Sequence, residues 1–128
     1  MDYFIPFLIV IFVLLTGNAL WKRNKGPKQY KDVNVADFKA LMKHKDAVLI
    51  DVRTSKEIAQ GKINGALEMN VLDASFRKKI QPMHKEKTYL MYCRSGQRSG
   101  KACRIMAQEG FTNLYNLEGG YNAWQAKN

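Results

Sequence analysis

Apolar residues along the chain form one long N-terminal run and several short runs separated by polar stretches. The long run, residues 3–21, is uncharged and close to the length of about 20 residues that a helix needs to cross a bilayer. The short runs at residues 47–52 and 88–92 are continuous and bounded by polar residues, which is typical of strands buried on both faces of a parallel sheet. Residues 66–70 and 113–118 are weaker strand candidates.

Stretches with helical patterning lie between these runs, and a residue suited to capping precedes most of them. Val35 and Phe38 would share the apolar face of a first helix, and Asp37 stands where a capping box has an acid. The residues expected to begin helices are, in chain order, Asn34, Thr54 or Ser55, Asp73 and Ser99, with a last short helix over residues 121–125. Strands that alternate with helices predict an α/β fold with a parallel sheet flanked by helices. Sites in such sheets lie outside the carboxyl ends of the strands.

The distribution of charge separates the long apolar run from the rest of the chain. Asp2 is the only charged residue before Lys22, so the chain from Lys22 onward holds all 21 Lys and Arg residues, all but one of the 11 acids, and a net charge of +11. The positive-inside rule then places the N-terminus outside and the remainder in the cytoplasm. We expect a single-pass cell-membrane protein with a transmembrane anchor over residues 3–21, a basic linker over 22–29 and one domain over 30–128. A cleaved signal peptide is the alternative, but it would carry its positive charge before the apolar run.

This positive charge makes nucleic acid a candidate partner. The lysines are scattered and partly next to the predicted anchor, however, and anionic lipid headgroups already account for the attraction of a tethered basic domain. We therefore expect contact with the membrane through residues 3–21 and no nucleic-acid partner. The two cysteines of a cytoplasmic domain are expected to be thiols.

Candidate chemistry concentrates in residues 92–103, "YCRSGQRSGKAC", where Cys93 directly follows a predicted strand. A metal site is disfavoured because the chain has no Cys-x-x-Cys pair and its two histidines, His44 and His84, lie in lysine-rich, loop-like segments. A nucleotide-binding P-loop is excluded because its two glycines would be one residue too close and no Ser or Thr follows the lysine. Cys103 is expected to be a buried core residue rather than a redox partner of Cys93. We expect no metal and no cofactor.

The remaining interpretation is an anion-binding loop around Cys93. A short strand-to-helix connection can turn its backbone N–H groups inward as a nest for an anion, and the start of the following helix adds positive potential. Arg94 and Arg98 add full positive charges, and Gly96 permits a backbone conformation that other residues avoid. Such surroundings favour a thiolate and lower the pKa of a cysteine, so that no general base is required.

Two reactions suit such a thiolate: attack on phosphorus and attack on sulfane sulfur. Phosphatases that combine Cys and Arg place five residues between them, whereas four residues separate Cys93 from Arg98. The shorter loop favours a smaller occupant, such as a terminal sulfur atom.

Three motifs, in this order along the chain, resemble those of single-domain rhodaneses, which are sulfurtransferases: "LIDVRTSKEIAQGKINGALEMNV", "YCRSGQRS" and "NLEGGYNAW". The resemblance covers nearly all of residues 30–126 and implies a rhodanese-like fold, a persulfide on Cys93, a small sulfur donor such as thiosulfate and a thiol or other nucleophile as acceptor. By position it assigns the anion-binding loop to Arg94, Ser95, Gly96, Gln97, Arg98 and Ser99. Asp51 and Arg53 match positions that we interpret as structural support, with contact between Arg53 and the substrate anion as the alternative.

Two other functions remain open at this point. One is a small phosphatase or an arsenate reductase, for which Cys103 is the only candidate for a resolving thiol. The other is a non-catalytic, membrane-anchored scaffold that binds a partner protein. The intact Cys-x-x-Gly-x-Arg-Ser motif argues against the scaffold, because a binding module has no need of a reactive cysteine.

Overall fold

The computed structural model describes residues 28–128, and this part of the chain forms a five-stranded parallel sheet with helices on both faces. The strands are β1 (Lys31–Val33), β2 (Ala47–Asp51), β3 (Leu67–Glu68), β4 (Thr88–Tyr92) and β5 (Asn113–Leu117). The helices are α1 (Val35–Leu41), α2 (Ser55–Ile58), α3 (Phe76–Ile80), α4 (Gln97–Gln108) and α5 (Gly120–Lys127). The strand order is β1-β5-β4-β2-β3, and every neighbouring pair is parallel. The predicted helix-flanked parallel sheet is confirmed.

Side-chain alternation along the central strand β4 builds a hydrophobic core on each face of the sheet. Tyr89 and Met91 belong to the core that α3 and α4 cover, whereas Leu90 and Tyr92 belong to the core beneath α1 and α5. None of the four is more than 1% exposed. Burial on both faces explains why β4 is a continuous apolar run rather than an alternating one. Cys93 continues the alternation into the first of these cores.

Two of the predicted helix caps are confirmed. The Asn34 side chain accepts a hydrogen bond of 2.9 Å from the Asp37 N–H and begins α1. Thr54 begins α2, and its hydroxyl and backbone N–H are paired with the Glu57 backbone and carboxylate in a full capping box. Each cap satisfies backbone donors that the first turn of a helix leaves unpaired.

Two predicted helix starts are wrong. Asp73 does not cap α3, because its carboxylate accepts hydrogen bonds from the N–H and hydroxyl of Ser75 and closes a turn ahead of the helix, which begins at Phe76. The helix expected to open at Ser99 begins two residues earlier, after Gly96. Gly96 has a φ of 104°, a left-handed conformation that glycine adopts readily. Ser99 therefore lies within the first turn of α4 instead of ahead of it.

The sequence pattern missed strand β1. It has three residues, of which Lys31 and Asp32 are charged and exposed, so it forms no apolar run. β1 lies at the edge of the sheet and pairs with β5 alone. Backbone pairing, rather than burial of side chains, holds it in place.

The predicted anchor over residues 3–21 and most of the linker predicted over 22–29 lie outside the described residues. From residue 28 to residue 128, no helix is long and apolar enough to cross a membrane.

Candidate active site

Cys93 is the first residue after β4, at the carboxyl end of the central strand of the sheet. Its side chain is 1% exposed. The chain leaves β4 between the ends of β5 and β2, which is where the topology of a parallel sheet leaves room for a site. The position predicted for Cys93 at a strand end is confirmed.

Residues 93–99, called the Cys93 loop below, direct two hydrogen-bond donors at the sulfur. The Gly96 N–H lies 3.1 Å from Cys93 Sγ, and the Ser99 hydroxyl oxygen lies 3.3 Å from it. The backbone N–H of Ser99, in the first turn of α4, also acts on the sulfur. The loop can therefore stabilise negative charge on Sγ.

The balance of burial and hydrogen bonding sets the ionisation of Cys93. Burial raises its pKa and is the largest single effect. Hydrogen bonds from the Ser99 hydroxyl and from the backbone N–H groups of Ser99, Gly96 and Ser95 act against burial, and together they hold the pKa below its ordinary value. The thiolate is thus favoured by donors built into the loop rather than by a neighbouring base.

Arg98 is engaged by a carboxylate that we did not predict to take part in the site. Its guanidinium donates hydrogen bonds of 2.7 and 2.8 Å to the two carboxylate oxygens of Glu57 on α2. These bonds are the largest effect on Glu57 and lower its pKa to about 2. The charge of Arg98 is therefore largely compensated, although we expected Arg98 to add a full positive charge near the sulfur. The spacing of Thr54 and Glu57 is a capping-box signal, but nothing in it points to Arg98.

Arg94 faces an open pocket beside the Cys93 loop. The pocket has a volume of about 220 Å³ and is lined by Arg53, Glu57, Gln60, Arg94, Tyr121, Asn122 and Gln125. Arg94 is exposed and makes no salt bridge within residues 28–128. Ser95 and Gln97 are exposed on the same loop. Of the two loop arginines, Arg94 is the one whose charge is available to an incoming anion.

Asp51 and Arg53 form a buried ion pair beside this pocket. Arg53 Nη2 lies 2.7 Å from Asp51 Oδ2 and donates a second bond of 2.8 Å to the Gly61 carbonyl. The guanidinium also lies 4.4 Å from the ring centroid of Tyr121. The pair ties the end of β2 to the turn at Gly61, in keeping with the supporting role that we expected. Arg53 is 4% exposed yet lines the pocket, so its contact with a substrate anion stays a prediction.

The start of α5 holds the Cys93 loop from the other side. The Tyr121 N–H donates to the Cys93 carbonyl at 2.8 Å, and the Asn122 N–H donates to the Arg94 carbonyl at 3.1 Å. A Cβ atom on Gly120 would lie 2.5 Å from that Cys93 carbonyl oxygen, so only glycine allows this approach. The sequence carries no signal for these contacts with the loop.

The remaining sulfur and imidazole groups lie away from the site. Cys103 is fully buried in the core beneath α4, its thiol is free, and burial raises its pKa. Its predicted place as a core residue is confirmed. His44 and His84 are exposed in the loops that precede β2 and β4, at the amino ends of the strands, whereas Cys93 lies at the carboxyl end.

Comparison with known proteins gives the same family from sequence and from structure. The rhodanese-like domain family matches residues 34–127. A sulfurtransferase of Allochromatium vinosum is 38% identical over 96 residues, which are 72% of this chain and 88% of that protein. The thiosulfate sulfurtransferase GlpE of Coxiella burnetii is 30% identical over 97 residues, which are 76% of this chain and 89% of that protein.

Solved structures agree with these sequence relatives. A human single-domain sulfurtransferase superimposes with a TM-score of 0.64 at 27% identity, covering 76% of this chain and 96% of its own. A rhodanese-related protein of Thermoplasma volcanium gives a TM-score of 0.66 at 26% identity, covering 77% and 93%. With a cysteine loop at the carboxyl end of the central strand and sulfurtransferases among its relatives, the chain belongs to the rhodanese-like domain family.

Proposed function

We propose that this protein is a sulfurtransferase that carries sulfane sulfur as a persulfide on Cys93. The observation that carries the proposal is the pair of donors on the sulfur: the Gly96 N–H at 3.1 Å and the Ser99 hydroxyl at 3.3 Å from Cys93 Sγ. These donors favour a thiolate, which is the reactive form of cysteine. Relatives named sulfurtransferase and thiosulfate sulfurtransferase support the same reaction class.

In the first half of the reaction the Cys93 thiolate attacks the outer sulfur of a donor such as thiosulfate. A new S–S bond forms to Cys93 Sγ as the S–S bond of thiosulfate breaks, and the bonding electron pair leaves with sulfite. Exposed Arg94 attracts the anionic donor, and Arg98, whose charge Glu57 largely compensates, contributes less. The terminal sulfur of the persulfide then carries negative charge, which the N–H groups of the loop, residues 94–99, are placed to stabilise.

In the second half the thiolate of an acceptor attacks the terminal sulfur of the persulfide. The bond between that sulfur and Cys93 Sγ breaks, the acceptor becomes a persulfide, and the electron pair returns to Cys93 as thiolate. The donors that lower the pKa of Cys93 also make it a better leaving group in this step. One loop thus serves both half-reactions, and the side chains alone carry the sulfur without a cofactor.

The same proposal includes a transmembrane anchor over residues 3–21 and a linker over 22–29 that hold the domain of residues 30–128 at the cytoplasmic face of the cell membrane. It is supported by the uncharged, apolar composition of the anchor and the positive charge that follows it. Lys28 precedes β1, at the amino end of the parallel sheet, whereas Cys93 lies at the carboxyl end. A tether that joins the domain there leaves the Cys93 loop directed away from the bilayer.

A steady-state assay of both half-reactions tests the sulfurtransferase proposal. The 128-residue chain, purified in a mild detergent, is supplied with thiosulfate and a small thiol, and sulfite and the acceptor persulfide are measured together. We expect the two products in equal amounts and neither from Cys93→Ser. Turnover that persists in Cys93→Ser contradicts the role of this sulfur.

Protease treatment of sealed membrane vesicles tests the anchoring. In right-side-out vesicles we expect the domain to survive external protease and to be cleaved only after permeabilisation. Cleavage in intact vesicles contradicts the cytoplasmic placement, and recovery of the whole chain in the soluble fraction contradicts the anchor.

A further inference from the structure

A buried asparagine on β5 reaches the Cys93 loop from outside the residues described above. Asn116 is 5% exposed, and its Nδ2 donates hydrogen bonds of 3.0 Å to the Gly96 carbonyl and 2.9 Å to Asp32 Oδ1 on β1. Along β5 the neighbours of Asn116 are Tyr115 and Leu117, and Asp32 lies opposite it on β1. Its amide therefore connects the edge strand of the sheet with the loop that surrounds the sulfur.

Both partners of this amide accept hydrogen bonds and donate none. A rotated Asn116 side chain would point Oδ1 at the Gly96 carbonyl and the Asp32 carboxylate, so the observed orientation is the one that the site permits. Burial raises the pKa of Asp32 most, but hydrogen bonds from Lys28 and Asn116 outweigh it and hold the pKa below its ordinary value, which keeps Asp32 an acceptor at neutral pH.

Burial of the Asn116 amide costs free energy, because one of its two polar atoms is left without a partner in the described part of the chain. Its Oδ1 is buried and has no hydrogen-bond partner among residues 28–128. Buried polar atoms are paired in the great majority of cases, and an apolar side chain at this place would have no such oxygen, although it would remove the Nδ2 donor from Asp32 Oδ1 and from the Gly96 carbonyl. The presence of an amide at this position is thus better explained by the hydrogen bonds of Nδ2 than by packing.

One of these hydrogen bonds is to Gly96, the residue whose N–H donates to the sulfur. Gly96 has a φ of 104°, its N–H lies 3.1 Å from Cys93 Sγ, and its carbonyl accepts from Asn116. A glycine is the residue least constrained by its own backbone preferences, so a fixed orientation must come from its contacts. The Gly100 N–H donates to the same carbonyl at 3.1 Å, so Asn116 supplies one of its two bonds. Together they restrict rotation about the backbone of Gly96 and keep its N–H aimed at the sulfur.

We propose that Asn116 is a positioning residue for Cys93, acting through Gly96 and itself held by Asp32. It does not touch the sulfur; it keeps in place a donor that lowers the pKa of the thiol. The inference rests on Cys93 as the reacting sulfur of the proposed function and adds to it a residue outside the Cys93 loop, the first residue of the third motif.

The test is the pH dependence of Cys93 alkylation by iodoacetamide in the 128-residue chain, read by peptide mass spectrometry. Asn116→Leu has a similar size, no donor and no charge. We expect the midpoint of the alkylation profile of Asn116→Leu to lie at higher pH than that of wild type. At a fixed pH below both midpoints the variant should be alkylated about tenfold more slowly than wild type, and at high pH the two rates should be equal. A purely structural role would lower thermal stability and leave the pH profile unchanged, and that result would overturn the proposal.

Two further variants keep the test decisive. Asn113→Leu makes the same change at the exposed start of β5, where the amide donates to the Glu86 carbonyl, and it should keep the wild-type profile. If Asn116→Leu does not fold, Asn116→Ser decides, because its shorter side chain cannot reach Gly96; an unshifted profile then overturns the proposal. Alkylation requires no sulfur transfer, so a shifted midpoint in a chain that never accepts sulfur would contradict the proposed function and leave the role of Asn116 standing.

Discussion

Removal of the Ser99 hydroxyl is the most direct perturbation of the thiolate. Ser99→Ala deletes the donor that lies 3.3 Å from Cys93 Sγ and keeps the Ser99 backbone N–H. Among the effects that lower the pKa of Cys93, this hydroxyl is the largest, and the burial that raises the pKa is unchanged by the substitution. The pKa of Cys93 must therefore rise in the variant.

The size of the rise follows from the strength of a hydrogen bond to a charged group. Such bonds contribute about 1.5–3 kcal/mol, and one pH unit corresponds to about 1.4 kcal/mol. Because the N–H groups of Gly96 and Ser95 remain, we take the lower limit and expect a loss of about 1.5 kcal/mol, or roughly tenfold in the thiolate population below the midpoint.

The assay is the rate of alkylation of Cys93 by iodoacetamide from acidic to alkaline pH. Alkylation of Ser99→Ala should be about tenfold slower than wild type at low pH and should converge with it at high pH, where both thiols are ionised. Ser95→Ala is the matched control: Ser95 donates through its backbone N–H, which the substitution keeps, so its midpoint should stay near wild type. Coincident profiles for Ser99→Ala and wild type would show that the hydroxyl does not stabilise the thiolate, and a rate difference that persists at high pH would mean altered access instead of altered ionisation.

Three further substitutions test other parts of the site. Glu57→Gln should weaken the ion pair with Arg98. Because the pKa of Glu57 is lowered, the ion pair stabilises the fold above about pH 4.5, and this stabilisation is lost as pH falls toward 2. The free energies of urea unfolding of wild type and variant should therefore differ by about 1–2 kcal/mol at neutral pH, after allowance for solvent screening, and converge in acid. A constant difference at all pH values would contradict this. Arg94→Ala should raise the KM for thiosulfate about threefold with little change in kcat. Lys101 is an exposed cation on α4 that does not line the pocket, so Lys101→Ala should leave the KM unchanged. Equal effects of the two substitutions would show that only the overall charge matters. Gly120→Ala should lower the free energy of unfolding in urea by more than about 3 kcal/mol, because the new Cβ meets backbone atoms at 2.5 Å. Gly65→Ala, also at positive φ but with no atom within 4 Å of the new Cβ, should lower it by about 1 kcal/mol. Similar losses in the two variants would mean that conformational strain, not contact, sets the cost.

Much of the fold could be predicted from local patterns. The continuous apolar runs marked β2 and β4, because strands buried on both faces need apolar side chains at every position. Caps at Asn34 and Thr54 marked α1 and α2, since the preference for these residues arises within the first turn. The sequence did not predict β1, because an edge strand can be held by backbone hydrogen bonds, which leave no pattern of apolar side chains.

The site was predictable where its contacts are local. Cys93 and the donors Gly96 and Ser99 lie within seven consecutive residues, so the sequence alone indicates a loop around the sulfur. Contacts between distant segments were not predictable: Arg98 meets Glu57 across 41 positions, which depends on β2 and β4, the strands that precede their two helices, being neighbours in the sheet.

Register in the sheet decides the remaining contact. Asn116 meets Gly96 across 20 positions because β5 lies beside β4. A polar residue inside an apolar strand is a conspicuous feature of the sequence, but its purpose becomes evident only when the strand order is known.

Sulfur transfer by this protein requires that Cys93 carry sulfur, and the mass of the protein after exposure to a sulfur donor shows whether it does. The 128-residue chain is mixed with excess thiosulfate, freed of the reagent and weighed intact, with Cys93→Ser and Cys103→Ser treated alongside. We predict a gain of one sulfur atom in wild type and in Cys103→Ser, located on Cys93 and removed by a thiol acceptor, and no gain in Cys93→Ser. A wild-type mass that does not change, or a sulfur atom that is still gained by Cys93→Ser, would contradict the account.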